Sequence, residues 1–192
     1  MNADETQLVE AAKRGELRAA TELVDRFYEA LFAFLRRLAG NEADAADLTQ
    51  KTFARVWPAL PRFAGRSSVS SWLHGIAHHV YQDWRRANHR LEPRPDEWWE
   101  DCPDPRHTPD RLAADADLAA ALYGAVDRLE PDLRSTVHLH HYQGLTLEET
   151  ADALGVAAST VKYRLRSAVQ QLQARLAEKT SPSSTLNLSR KP

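Results

Sequence analysis

Between Leu91 and Asp117 the chain reads LEPRPDEWWEDCPDPRHTPDRLAADAD, with five prolines, nine carboxylates and three arginines. Proline cannot donate the backbone hydrogen bond that a helix interior needs, and so polar a segment has little to bury. This composition predicts a flexible acidic linker over 91–117, with folding confined to a block on either side, 1–90 and 118–178. Each block has the size of a small domain. Trp98 and Trp99 stand out within the linker as adjacent aromatics suited to covering a neighbouring domain or meeting a partner.

Both blocks carry helical periodicity, and no stretch alternates as a half-buried strand does. Ala20, Leu23, Val24, Phe27, Leu31, Phe34, Leu35 and Leu38 form one apolar face of a long helix that Gly40 ends. Asn41 is placed to cap a helix over about 43–57, with Leu48, Thr52, Phe53, Val56 and Trp57 on its inner side and Pro58 and Pro61 ending it. The loop Phe63–Ser68 leads to a further helix over about 69–89, built on Val69, Trp72, Leu73, Ile76, Ala77 and Val80. In the second block Leu122, Val126 and Leu129 precede Pro131, a residue favoured at a helix start. The fold class is all-α: two small helical domains joined by the linker. Residues 179–192 have no pattern and read as a disordered tail.

The net charge of −2 conceals an uneven distribution. Residues 1–90 hold 13 basic and 11 acidic side chains, residues 118–192 hold 9 and 7, and the linker holds 3 and 9. Two mildly basic blocks therefore flank an acidic cord, and local surface rather than net charge governs contact with a polyanion. No apolar run approaches the roughly 20 residues of a transmembrane helix. The polar N-terminus does not read as a secretory signal, and the single Cys102 has no disulfide partner, so a cytoplasmic setting is expected.

The segment LTLEETADALGVAASTVKYRLRSAVQQL, residues 145–172, carries the sharpest motif. Thr146 and Glu149 have the spacing of a capping box. Gly155 sits where the chain must reverse, a position suited to positive φ. Ala151, four residues before the glycine, is small enough for a steep helix crossing, and Val161, six residues after it, plugs the contact. This is helix-turn-helix spacing. The second helix, expected to start at Thr160 with Ser159 as its cap, turns Val161, Leu165, Ala168, Val169 and Leu172 inward. Its outer face offers Ser159, Thr160, Lys162, Tyr163, Arg164, Arg166 and Ser167. No acidic residue occurs from Ser159 to Ala177, so this face is suited to the major groove of duplex DNA.

In the first block, YQDWRRANHR (81–90) interleaves Tyr81 and Trp84 with Arg85, Arg86 and Arg90. Cations neutralise a phosphate backbone while aromatics stack on bases, the combination that binds single strands. Three motifs then occur in a telling order: DLTQKTFARVW (47–57), SSWLHGIAHHVYQDWRR (70–86) and LEPDLRSTVHLHHYQGLTLEETADALGVAASTVKYRLRSAVQQL (129–172). Together they resemble bacterial RNA polymerase sigma factors of the extracytoplasmic-function (ECF) group, which keep only the second and fourth conserved regions.

That resemblance implies roles for particular residues. Asp47, Gln50, Lys51 and Ala54 would dock on the clamp helices of core RNA polymerase, although the family usually carries Glu where Lys51 stands. Arg66, Ser67 and Ser68 of the loop, with His78, His79, Tyr81, Trp84, Arg85 and Arg86 of the following helix, would capture unstacked bases of the −10 strand. The family often has Arg-Asn in place of His78-His79, which implies a shifted −10 preference. Trp72 corresponds to a mainly structural position. The recognition helix would read the −35 duplex, and the acidic linker resembles the segment threaded through the polymerase near its active site. The partners implied are core RNA polymerase, promoter DNA and an anti-sigma factor. Eight histidines, including the i, i+4 pair His74 and His78 and the cluster His138, His140 and His141, do not converge in sequence as a metal site does. Neither a metal, a cofactor nor a catalytic set is expected. A dimeric helix-turn-helix regulator and a histidine-dependent metalloenzyme are the competing readings.

Overall fold

A computed structural model of the chain describes residues 3–88 and 122–180, and every regular element among them is helical. The first body contains α1 (Ala3–Lys13), α2 (Leu17–Ala39), α3 (Glu42–Ala59), a short 3₁₀ turn (Leu60–Arg62) and α4 (Val69–Ala87). The second contains a helical stretch over 122–127 (α5), then α6 (Pro131–Val137), a π-helical turn (His138–Tyr142), α7 (Leu147–Leu154) and α8 (Ala158–Thr180). The linker, with Trp98 and Trp99, lies outside the described residues, as does the tail beyond Thr180.

Side-chain chemistry sets the helix ends. Gly40 adopts φ +84° and donates its N–H to the Arg36 carbonyl, closing α2. Asn41 accepts the Asp44 N–H at 2.8 Å and starts α3. Ser68 does the same for α4 through the Ser71 N–H at 3.1 Å. Thr146 and Glu149 form the full reciprocal box at the start of α7, and Gly155, at φ +65°, ends it. Pro58 does not end α3, contrary to the sequence expectation. It sits in the last turn, where the Leu60 N–H still reaches the Val56 carbonyl, and the chain tightens into the 3₁₀ turn before Phe63 leaves it.

The first core gathers Leu23, Leu31, Phe34, Leu35 and Leu38 of α2 against Leu48 and Val56 of α3 and Val69, Leu73 and Ala77 of α4. Thr49 and Thr52 are buried in α3 because each hydroxyl donates to the carbonyl four residues back, at 2.7 Å. Two residues expected to face inward do not. Trp57 is 36% exposed at the outer end of a stacked series that runs Phe32, Tyr28, Phe53, Trp57, and Val169 on α8 is 46% exposed.

A smaller core of Val126, Leu129, Leu133, Val137 and Ala168 holds the second body. Leu139, Leu145 and Ala153 belong instead to the first body's core, although they come from the second block. The two blocks therefore pack directly on one another, with α7 lying along α4. Leu48→Ala should lower stability by about 2–5 kcal/mol through the cavity it leaves. Thr146→Ala should lower it by about 1 kcal/mol through the lost cap, and chemical denaturation of both variants distinguishes the two magnitudes.

Candidate nucleic-acid interface

The helix-turn-helix is built as its spacing implies. Ala151 and Val161 are buried where α7 and α8 cross, and the Val156 N–H returns to the Ala151 carbonyl at 3.0 Å. One detail differs: α8 begins at Ala158, not Thr160. The Ala157 carbonyl accepts the first bonds, from the Thr160 N–H at 2.9 Å and the Val161 N–H at 3.2 Å, so Ser159 lies inside the first turn rather than capping it. The exposed strip of α8 then presents Ser159, Lys162, Tyr163 and Arg166, with Thr160 and Ser167 half-buried beside it. Tyr163 is 69% exposed, far more than packing requires of an aromatic. Arg164 points elsewhere, into an ion pair with Asp132 of α6.

On the first body the loop after the 3₁₀ turn encloses an open cavity of about 330 Å³ lined by Arg62, Phe63, Ala64, Arg66, Ser67 and Trp72. Phe63 and Trp72 pack ring to ring, 4.7 Å between centroids. Lys13, from the end of α1, donates to the Phe63 carbonyl at 2.8 Å and lies 5.8 Å above its ring. Phe63 and Ala64 open the loop 63–71 that the resemblance assigns to base capture, whereas nothing in the sequence points to Arg62 or Lys13, and Trp72 is expected only to pack. The aromatic pair at 63 and 72 was the available signal; nothing local marks Lys13.

Along α4 the expected contact residues divide. His79 is exposed, its ring N–H donating to the Gly75 carbonyl at 2.7 Å, and Arg86 is exposed while Trp84 and Arg85 are half-buried. Arg86 and Arg55 both bond to Asp83, with Arg55 at 2.7 Å, and those bonds hold the Asp83 carboxyl below its ordinary range. His78 and Tyr81 are buried, 5% and 1% exposed, beneath the second body. The Tyr81 hydroxyl accepts from Arg134 of α6 at 2.9 Å. Burial lowers His78 to about 4, and the neighbouring His79 adds to the effect.

On α3, Asp47, Gln50, Lys51 and Ala54, the residues expected to dock, are all exposed on one side. Lys51 pairs with Asp47 one turn before it, so the stripe neutralises part of its own charge. The histidines of the π-helical turn diverge. His138 is buried against Tyr142, the His140 ring N–H donates to the Leu145 carbonyl at 2.7 Å, and His141 faces solvent. Among the described residues no three histidine, cysteine or carboxylate side chains are grouped as metal ligands. No described helix is long and apolar enough to cross a membrane.

Residues 23–91 match the Sigma-70 region 2 family and residues 119–172 match Sigma-70 region 4. The ECF RNA polymerase sigma factor SigE of Mycolicibacterium smegmatis is 35% identical over 162 residues, 83% of this chain and 62% of that protein, so the chain spans under two thirds of that relative. The ECF sigma factor SigX of Bacillus subtilis is 33% identical over 144 residues, 73% of this chain and 74% of its own length. Among solved structures, CnrH in complex with the cytosolic domain of CnrY superposes with a TM-score of 0.68 at 25% identity, covering 92% of this chain and 99% of that one. RpoE of Bartonella quintana, solved with the anti-sigma factor NepR, shares the fold at 23% identity and a TM-score of 0.63, over 82% and 96% of the two chains.

A histidine that is harder to protonate when folded opposes acid. The unfolded chain takes up its proton near 6.5 and the folded one only near 4, so stability is complete above about 6.5 and declines as pH falls from there toward 4. The His78 contribution to that decline is on the order of 3 kcal/mol. Thermal unfolding followed from pH 7.5 to 4.5 should show it, and His78→Gln, which keeps a polar side chain beside Gln82, should flatten the profile.

Proposed function

The chain belongs to the ECF RNA polymerase sigma factors, and on that footing we propose that it joins core RNA polymerase, places it on a promoter and helps open the DNA. One observation supports this reading: a single chain pairs a helix-turn-helix whose exposed face carries Lys162, Tyr163 and Arg166 with a separate aromatic-walled cavity of about 330 Å³. A regulator that binds only duplex DNA has no use for the second.

In this reading Lys162, Tyr163 and Arg166 enter the major groove at the −35 element, with Ser159, Thr160 and Ser167 around them. Arg and Lys recognise guanine edges or phosphates there. The loop at Arg66, Ser67 and Ser68 takes an extruded base of the −10 strand against Phe63 and Trp72. Extrusion costs a few kcal/mol per base, which stacking and burial in the cavity offset. Arg85 and Arg86 neutralise the displaced backbone, and His79 contacts the strand. Asp47, Gln50, Lys51 and Ala54 dock on the polymerase. An anti-sigma factor is a further partner, in line with the complexes in which CnrH and RpoE were solved. The chain acts by binding rather than by its own catalysis, in the cytoplasm, where the polymerase works.

Pull-down with core polymerase followed by run-off transcription tests this directly. Lys162→Ala and Arg166→Ala should each weaken −35-dependent initiation by about 1–3 kcal/mol where a base contact is lost, or reduce the salt dependence by about one charge where a phosphate contact is lost. Tight binding of intact duplex as a symmetric dimer, with no response to core polymerase, would establish the regulator instead.

A further inference from the structure

Between the 3₁₀ turn and α4 the chain crosses a short stretch with little of its own to hold it. The Phe63 N–H still bonds the Leu60 carbonyl at 3.0 Å, and at the far end Ser68 is fixed by capping α4. Among the described residues, Ala64, Gly65, Arg66 and Ser67 take part in no backbone–backbone hydrogen bond. Gly65 adopts φ +66°, and Ala64, Gly65 and Arg66 are exposed. A segment with so few internal bonds opens at small free-energy cost, so its shape depends on what grips its ends. Yet Phe63, Ala64, Arg66 and Ser67 are four of the six residues that line the cavity.

The grip at the first end comes from α1. Leu8, Val9 and Ala12 are buried in the first core and seat that helix, and Lys13 stands in its last turn with its side chain only 20% exposed. A lysine there has an ordinary use: it balances the helix dipole and pairs with Glu10 three residues back, at 2.7 Å. This one does more. Its ammonium leaves its own helix and donates to the Phe63 carbonyl at 2.8 Å. A hydrogen bond from a charged donor is roughly twice as strong as a neutral one. Lys13 does not line the cavity, so it acts on an occupant through Phe63 rather than by touching it.

We propose that Lys13 is a positioning residue for single-strand capture: by holding the Phe63 carbonyl it keeps the loop in a receiving shape before the strand arrives. The inference rests on the sigma-factor reading above. Phe63 is the first lining residue after the 3₁₀ turn, and its ring packs against Trp72, so anchoring its peptide group sets the aromatic wall on which a base stacks. A loop ordered in advance does not have to be ordered at the moment of binding. Without the anchor only a fraction of chains present the receiving shape, and the apparent affinity for the strand falls by that fraction.

Two measurements on the full chain test this. Tryptic cleavage after Arg62 and Arg66, mapped by mass spectrometry, follows local opening of the loop and involves neither polymerase nor DNA. Lys13→Met, which keeps the length and loses the charge, should quicken that cleavage by about tenfold, and Lys13→Arg should slow it again. Equal rates in the wild type and Lys13→Met would overturn the proposal, as would faster cleavage at every site alike, the mark of global unfolding. The second measurement is run-off transcription with core polymerase on templates that carry one abasic site at each −10 position in turn. The wild-type chain should suffer most at the one position whose base enters the cavity. Lys13→Met should lower initiation from the intact template by about tenfold and shrink that one penalty, leaving the others as they were. An unchanged set of abasic penalties would overturn the positioning role. Failure of the wild-type chain to direct any run-off defeats the sigma-factor reading instead, and the cleavage rates still report on the anchor.

Discussion

Helix α4 must bury two sides at once, and most of the molecule follows from that. Val69, Leu73, Ala77 and Val80 face the α2–α3 core, while Ser71, Gly75, His78 and Tyr81 are taken up by the second body. A strip bearing His79, Asp83, Arg86 and Ala87, with Trp84 and Arg85 at its margins, is left for solvent. The small and polar character of the second side is the physical solution: glycine and serine permit close approach, and histidine and tyrosine can be either buried with a partner or hydrated.

Local features were legible and distant ones were not. The capping box at Thr146, the reversal at Gly155 and the small residue at Ala151 lie within a few residues of each other, so spacing alone exposes them. The start of α8 was misplaced because GVAAST offers Ser159 as a polar cap, whereas the backbone begins its turn two residues sooner on plain alanines, with Ala157 receiving the first bonds. Pro58 was read as a stop, yet a missing N–H is tolerated in the final turn. Trp57 fits an inward stripe by period but lies where the helix runs past its neighbours and stacks on Phe53 instead. The contact between Ser71 and Glu149 joins residues 78 positions apart, and no periodicity reports on it.

The departures from the family pattern fall on charge. Lys51, where the resemblance leads one to look for Glu, leaves the α3 stripe self-paired with Asp47. His78 and His79, where the resemblance leads one to look for Arg-Asn, are sequence neighbours in opposite surroundings. One is desolvated and held neutral far below ordinary histidine; the other is hydrated and hydrogen-bonded only to its own helix. The same residue type thus serves packing at one position and faces solvent at the next.

Lys13 reaches from the first helix to the carbonyl of Phe63, 50 positions away, and so ties the chain's opening segment to the rim of the aromatic-walled cavity. The ammonium grips a peptide oxygen and also sits above the ring that walls the cavity, so it fixes both the path of the loop and the tilt of the aromatic. Whatever seizes or displaces that short N-terminal helix therefore acts, at one remove, on the shape of the cavity's mouth.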